Sequence, residues 1–180
     1  MGTEKDSKFY DAAYHRAKYL THYTLTRWYE RFQLTANRIG LDERVLEIGC
    51  GTGQLANLLF DEQKRTYKGY DFSERAIEVC NGLDLDPMSF EVGNAYNHEL
   101  YKDYDVFLCC ETLEHLQDKE VLKLVEKGKK IVLSLPDFAA DNHLFHIQSK
   151  EDLISRYAKE IKFSYIEKVD AWYVAEGVKI

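Results

Sequence analysis

Three stretches of this chain carry residue types at spacings that chemistry requires. The first is Arg44-Val-Leu-Glu-Ile-Gly-Cys-Gly-Thr-Gly53, where an apolar run ends in alternate glycines, Gly49, Gly51 and Gly53, with Glu47 just upstream. A dinucleotide-binding turn needs its third glycine three residues past the second, a place held here by Gln54, and the Gly-Lys-Ser/Thr ending of a triphosphate loop is missing. A carboxylate beside the turn repels a phosphate chain and suits an ammonium or a sulfonium. The expected ligand is therefore cationic. Asp71, about 18 residues past Gly53, stands near the spacing at which an acid grips ribose hydroxyls.

The second stretch is Glu111-Thr-Leu-Glu-His115, and the third runs from Asp137 to His146 and holds His143 and His146. His115, His143 and His146 are the candidate catalytic residues, with Asp137 and Glu111 as further bases for an acceptor hydroxyl. Glu111, Glu114 and His115 stand at i, i+3 and i+4, so on a helix they share one face. A distant His146 would then complete an oxygen and nitrogen site for manganese or magnesium. The primary reading places no metal there.

The surrounding elements must bring these stretches together. Val45, Leu46 and Ile48 read as a buried parallel strand, and Gln54 to Phe60 as the helix that follows, so the glycines lie where a strand stops and a helix starts. Asp71 ends a second strand over Thr66–Asp71. Ser73 caps a helix over Glu74–Asn81, Gly82 stops it, and Ser89–Val92 is a third strand. Tyr104–Cys110 is apolar almost throughout, as a central strand buried on both faces must be. Asp118 is placed to cap a helix through Val125, with Gly128 ending it. Ile131–Leu135 is a fifth strand closed by Pro136, Ser149–Ala158 a helix, and Phe163–Val169 with Trp172–Val178 an antiparallel pair. Upstream, Phe9 to Ile39 shows two helical stripes, Tyr10 to Leu20 and Leu25 to Ile39, broken at Thr21–Thr24; residues 1–8 read as frayed. Alternation of this kind predicts an α/β fold with seven strands. Ligands in such sheets lie outside the strand carboxyl ends, and that edge collects Gly49–Gly53, Asp71, Asn94, Glu111–His115 and Pro136–His146.

Bulk properties narrow the function. A net charge of −7 and a pI near 5.4 disfavour a nucleic-acid partner, which calls for a basic footprint. Without a long apolar run or a leader pattern, the chain reads as neither membrane-spanning nor secreted. The cysteines, at 50, 80, 109 and 110, lack Cys-x-x-Cys spacing and read as reduced core thiols of a cytoplasmic protein, Cys50 being a small residue chosen for fit. One domain over residues 1–180 is expected, a helical lid over 1–40 and a core over 41–180.

Glu47-Ile-Gly-Cys-Gly-Thr-Gly53 resembles the first signature of class I S-adenosylmethionine-dependent methyltransferases, and three later motifs follow in the family's order between residues 40 and 150. The resemblance implies a three-layer αβα Rossmann-like fold with a seven-stranded, mostly parallel sheet and an antiparallel last hairpin. It implies S-adenosylmethionine as cofactor and S-adenosylhomocysteine as product. Glu47, Gly49, Cys50, Gly51 and Gly53 would form the cofactor loop. Asp71 would take both ribose hydroxyls with Phe72 beside it, and Asn94 and Ala95 would meet the adenine. Glu111, Thr112 and Leu113 would flank the sulfonium, and Tyr10, Tyr14 or Arg27 would close over the methionine end. The activity implied is in-line methyl transfer to oxygen or nitrogen of a small-molecule acceptor. Two alternatives stand beside it. The Glu111, Glu114, His115 and His146 set resembles the metal site of small-RNA 3′-terminal 2′-O-methyltransferases, and the fold also suits a non-catalytic cofactor-binding partner subunit.

Overall fold

The computed structural model describes residues 2–180. Five strands run parallel: β1 (Val45–Ile48), β2 (Tyr67–Asp71), β3 (Ser89–Val92), β4 (Val106–Cys110) and β5 (Lys130–Pro136). They join a single sheet with β6 (Ile161–Val169) and β7 (Trp172–Lys179), in the order β3-β2-β1-β4-β5-β7-β6, with β7 antiparallel to both its neighbours. Strand β4 sits in the middle, and its composition explains why. Val106 and Leu108 point into one core and Phe107 and Cys109 into the other, all fully buried, so this strand must be covered on both faces.

The first face packs on α3 (Tyr29–Ala36), α4 (Gln54–Asp61) and α5 (Glu74–Asn81), through Phe32, Leu55, Leu59 and Ile77. The second packs on α6 (Asp118–Leu124) and α7 (Lys150–Arg156), through Leu122 and Leu153. The result is the three-layer arrangement expected. Several local signals act as expected too: the Ser73 hydroxyl accepts from Ala76 N at 3.1 Å at the start of α5, Gly82 caps its end, and Ser149 caps α7.

Other expectations need correction. The N-terminal region forms α1 (Ser7–Ala13), a four-residue α2 (Ala17–Leu20), a 3-10 turn at Tyr23–Leu25 and α3, rather than two continuous helices. The reason lies outside the segment. Gln54 Nε2 donates to the carbonyls of Lys18 (3.1 Å) and Thr21 (2.6 Å), and Thr52 Oγ1 to that of Tyr19 (2.5 Å), so these carbonyls are taken by side chains of the glycine loop and α4. Residues 2–8 are not frayed, because Asp6 caps α1 and Gly2 N donates to the His143 carbonyl at 2.8 Å. Asp118 is the first residue of α6 rather than its cap, and its carboxylate goes instead to Arg156 at 2.8 Å. Glu111 to His115 is no helical turn. Glu111 leaves β4 at φ +54, and only Leu113–His115 form a 3-10 turn, so Glu111 does not share a helical face with Glu114.

Candidate functional site

The glycine loop is built by backbone necessity. Gly49 adopts φ +78, and a Cβ there would lie 2.2 Å from Thr112 Oγ1, while Gly53 adopts φ +76 as the residue that starts α4. Asp71 at the end of β2 holds the loop from beside: Oδ2 accepts from Gly51 N at 3.0 Å and Oδ1 from Ser73 N at 2.9 Å. It is only 4% exposed. Burial raises its pKa to about 6 against the pull of those two N–H donors. The Ser73 hydroxyl also donates to Asp11 at 2.5 Å, which ties α1 to the head of α5.

Two cavities open at the strand carboxyl ends and share a wall of Tyr10, Tyr14, Gly49, Glu111, Thr112 and His115. The smaller, about 80 Å³, is bounded by Asp71, Phe72, Asn94, Ala95, Tyr96 and Leu116. The larger, about 300 Å³, runs past Glu47, Cys50 and Gly51 to Trp28, Phe138 and Trp172. Arg27 lines it with an exposed side chain. Two cofactor candidates lie outside both: Leu113 is fully buried in the core, and Gly53 serves the start of α4. The Asn94 side chain accepts from Tyr96 N at 2.9 Å, which leaves its amide N–H groups for a ligand.

Glu47 on β1 is 2% exposed and accepts a short hydrogen bond from the Tyr67 hydroxyl. Burial pushes its pKa to about 8, so in the free protein this group is largely protonated at neutral pH, and a cation beside it would favour the carboxylate. Sequence reasoning missed Arg31, which reaches this cavity from α3 at 5% exposure, with Nη1 3.0 Å from Glu111 Oε2. Its Nε and Nη1, Glu111 Oε1 and Trp172 Nε1 are buried without an aligned hydrogen bond. A signal was present in the sequence. Trp28, Arg31, Phe32, Thr35, Ala36 and Ile39 form one buried helical stripe, and a lone cation within such a stripe needs a partner from elsewhere.

His115 and His143 come together, their ring centroids 4.9 Å apart. His115 Nδ1 is 2.8 Å from the Asn142 carbonyl and His143 Nδ1 3.1 Å from that of Phe138, so each ring donates from Nδ1 and keeps a lone pair on Nε2. Burial lowers the His115 pKa to about 4 and that of His143 below its usual range. Glu114 is fully buried beside them, and neither of its carboxyl oxygens has a hydrogen-bond partner. One ligand atom each of Glu114, His115 and His143 lies within 4.8 Å of the others. His146 is not part of this cluster and lines a separate surface cavity with Gly2, Asp152 and Arg156. Asp137 pairs with Lys168 at 2.5 Å. All four cysteines are unpaired, and among the described residues no helix is long and apolar enough to cross a membrane.

A family model described as a methyltransferase domain matches residues 15–163. The chain is 29% identical over 142 residues to a ubiquinone biosynthesis O-methyltransferase of Thiobacillus denitrificans, covering 67% of this chain and 59% of that protein's length. It is 30% identical over 103 residues to a norajmaline N-methyltransferase of Rauvolfia serpentina, covering 51% of this chain and 35% of that one. Among solved structures, the DhpI complex with S-adenosylhomocysteine superposes with a TM-score of 0.73 at 18% identity, over 97% of this chain and 95% of that one, and so shares the fold. With that model spanning most of its length and the sheet order of the fold in place, the chain belongs to the methyltransferase-domain family.

Proposed function

We propose that this protein is an S-adenosylmethionine-dependent methyltransferase that acts on oxygen or nitrogen of a small-molecule acceptor. The observation that carries this reading is the pair of adjacent cavities at the strand carboxyl ends, one beside an acid at the ribose position and the other beside a loop with no phosphate-binding pattern. The cofactor supplies an electrophilic methyl group on a sulfonium. Asp71, already held by two N–H donors, has lone pairs left for ribose hydroxyls, and the Asn94 amide faces the same cavity as a donor to adenine. Tyr10 and Tyr14 line both cavities and give the bound groups a shared aromatic wall that favours alignment. Tyr14, which lines both cavities, and the backbone of Cys50 in the larger one serve the methionine end.

In the transfer, a lone pair of the acceptor forms the new bond to carbon while the carbon–sulfur bond breaks and its electron pair stays on sulfur. The acceptor proton leaves to a neutral imidazole. His115 and His143 hold that role, each with a free Nε2. Calorimetry with S-adenosylmethionine and S-adenosylhomocysteine tests the reading, with dissociation constants below the millimolar range expected. Asp71→Ala should weaken binding by about 2 kcal/mol or more, close to thirtyfold, because it strips the ribose of a buried acceptor and frees Gly51 N.

One observation favours a second reading. A fully buried Glu114 with no hydrogen-bond partner, grouped with one ring nitrogen each of His115 and His143, is a donor set of the kind that holds a divalent ion of intermediate hardness. In that case transfer to the 2′-hydroxyl of an RNA end would stop with a chelator and return with manganese. The acceptor-hydroxyl reading without metal predicts no effect of the chelator.

A further inference from the structure

The larger cavity has an unequal chemistry. Its buried polar atoms without an aligned partner are Arg31 Nε and Nη1, Trp172 Nε1 and Glu111 Oε1; Arg31 Nη1 and Trp172 both approach the Glu111 carboxylate, so one acid faces several donors. On its rim stand Lys18 and Arg27. Neither belongs to any ion pair among the described residues. Lys18 Nζ lies 4.7 Å from the Tyr19 ring centroid, and the Arg27 guanidinium lies 5.7 Å from Trp28 and 6.0 Å from Trp172. Residues 12–29, which supply this rim, contain Arg16, Lys18 and Arg27 and no acid, in a chain whose net charge is −7. The local excess of positive charge runs against the whole molecule.

The cofactor does not answer that excess. Its sulfonium and ammonium outweigh its carboxylate by one charge, so whichever cation the carboxylate meets, the occupied site becomes more positive. Three cations then face at most two carboxyl groups, Glu47 and Glu111, and Glu111 is already beside Arg31. What the walls lack is a ligand that brings acceptors and negative charge. The shape of the walls adds a second requirement. Trp28, Phe32, Phe138 and Trp172 present aromatic surface between the cations, with the Phe138 and Trp172 rings edge to face at 5.8 Å, and such a slot suits a flat ring.

We propose that the methyl acceptor is a planar anion, an aromatic ring bearing a carboxylate, whose ring lies among Trp28, Phe138 and Trp172 and whose carboxylate turns toward Arg27, Arg31 and Lys18. This rests on the methyltransferase reading and narrows it. A guanidinium fork matches a carboxylate in two parallel hydrogen bonds, and the unpaired rim cations raise the local concentration of anions before they enter.

The chain has two tryptophans, Trp28 and Trp172, and both line this cavity, so intrinsic fluorescence reports on its occupancy. Binding of S-adenosylhomocysteine is first measured by calorimetry; its absence would sink the methyltransferase reading itself. The protein saturated with S-adenosylhomocysteine is then titrated with 3,4-dihydroxybenzoate, catechol and dopamine, which share a ring and differ in charge. The carboxylate should bind about tenfold or more tighter than catechol, with dopamine weakest, and the advantage should shrink in high salt. Arg27→Glu should abolish the preference and Arg27→Lys should keep most of it, with circular dichroism confirming that both fold. Catechol or dopamine binding as tightly as the carboxylate, a preference unchanged in Arg27→Glu, or no binding of any of the three with S-adenosylhomocysteine in place overturns the proposal.

Discussion

Glu47 shows how one buried carboxyl couples folding to pH. Its folded pKa of about 8 lies above the ordinary carboxyl value, so between the two the folded protein holds a proton that the unfolded chain has released. Stability contributed by that proton is present at low pH and declines as pH rises toward 8. Asp71, raised to about 6, acts the same way over a lower window. His115, lowered to about 4, opposes both, but only up to the ordinary histidine value near 6.5. Above that value Glu47 alone of these groups still acts, and nothing among them opposes it. The melting temperature of the free protein should therefore fall between pH 6.5 and pH 8, and Glu47→Gln, which keeps an acceptor for the Tyr67 hydroxyl, should make the fall shallower. A melting curve equally steep in the variant would show that Glu47 does not titrate in this window. Arg31 belongs to the same scale. Its stripe on α3 was legible, but its partner Glu111 lies on another element and at positive φ, which no periodicity announces.

At the scale of elements, the N-terminal pieces are held by the core rather than by their own helical bonds. Gln54 carries two of the anchors, to the carbonyls of Lys18 and Thr21. Gln54→Ala should cost about 1 kcal/mol, since partly exposed hydrogen bonds contribute about that much each and water replaces part of it. The clearer effect should be local: trypsin should cut faster at Arg16 and Lys18, and S-adenosylhomocysteine should bind more weakly as Tyr14 loosens. Unchanged cleavage would mean that the aromatic contacts of Tyr14 and Tyr19, with centroids 5.2 Å apart, suffice by themselves. The same anchors explain why the sequence overstated the helices here. Helical spacing runs through this segment, but spacing records which residues face the core and not whether the carbonyls between them are taken by another element. Elements whose signals are local came out closely. Strand β3 occupies Ser89–Val92 as read, and Ser73 caps α5 through its own hydroxyl.

For the whole molecule, stability rests on the central strand and not on surface charge. Leu108, fully buried in β4 between β1 and β5, should cost about 3 kcal/mol when truncated to Ala, lowering the melting temperature by several degrees. Arg44→Ala should cost far less, although Arg44 and Asp105 meet at 2.8 Å and Asp105 is held well below the usual carboxylate range, because both side chains are nearly half exposed. Thermal denaturation of the two variants side by side checks the ranking.

The sequence by itself determined the alternation of strands and helices, the glycine turn after β1 and the acid that ends β2, because each is written in residues adjacent in the chain. Only the tertiary structure decided that His143 joins His115 and Glu114 while His146 does not, that Arg31 meets Glu111, and that Trp28 and Trp172 line one cavity. Those contacts join distant parts of the chain, and their partners are chosen by which loops the sheet order brings to the same edge, a choice that no local pattern contains.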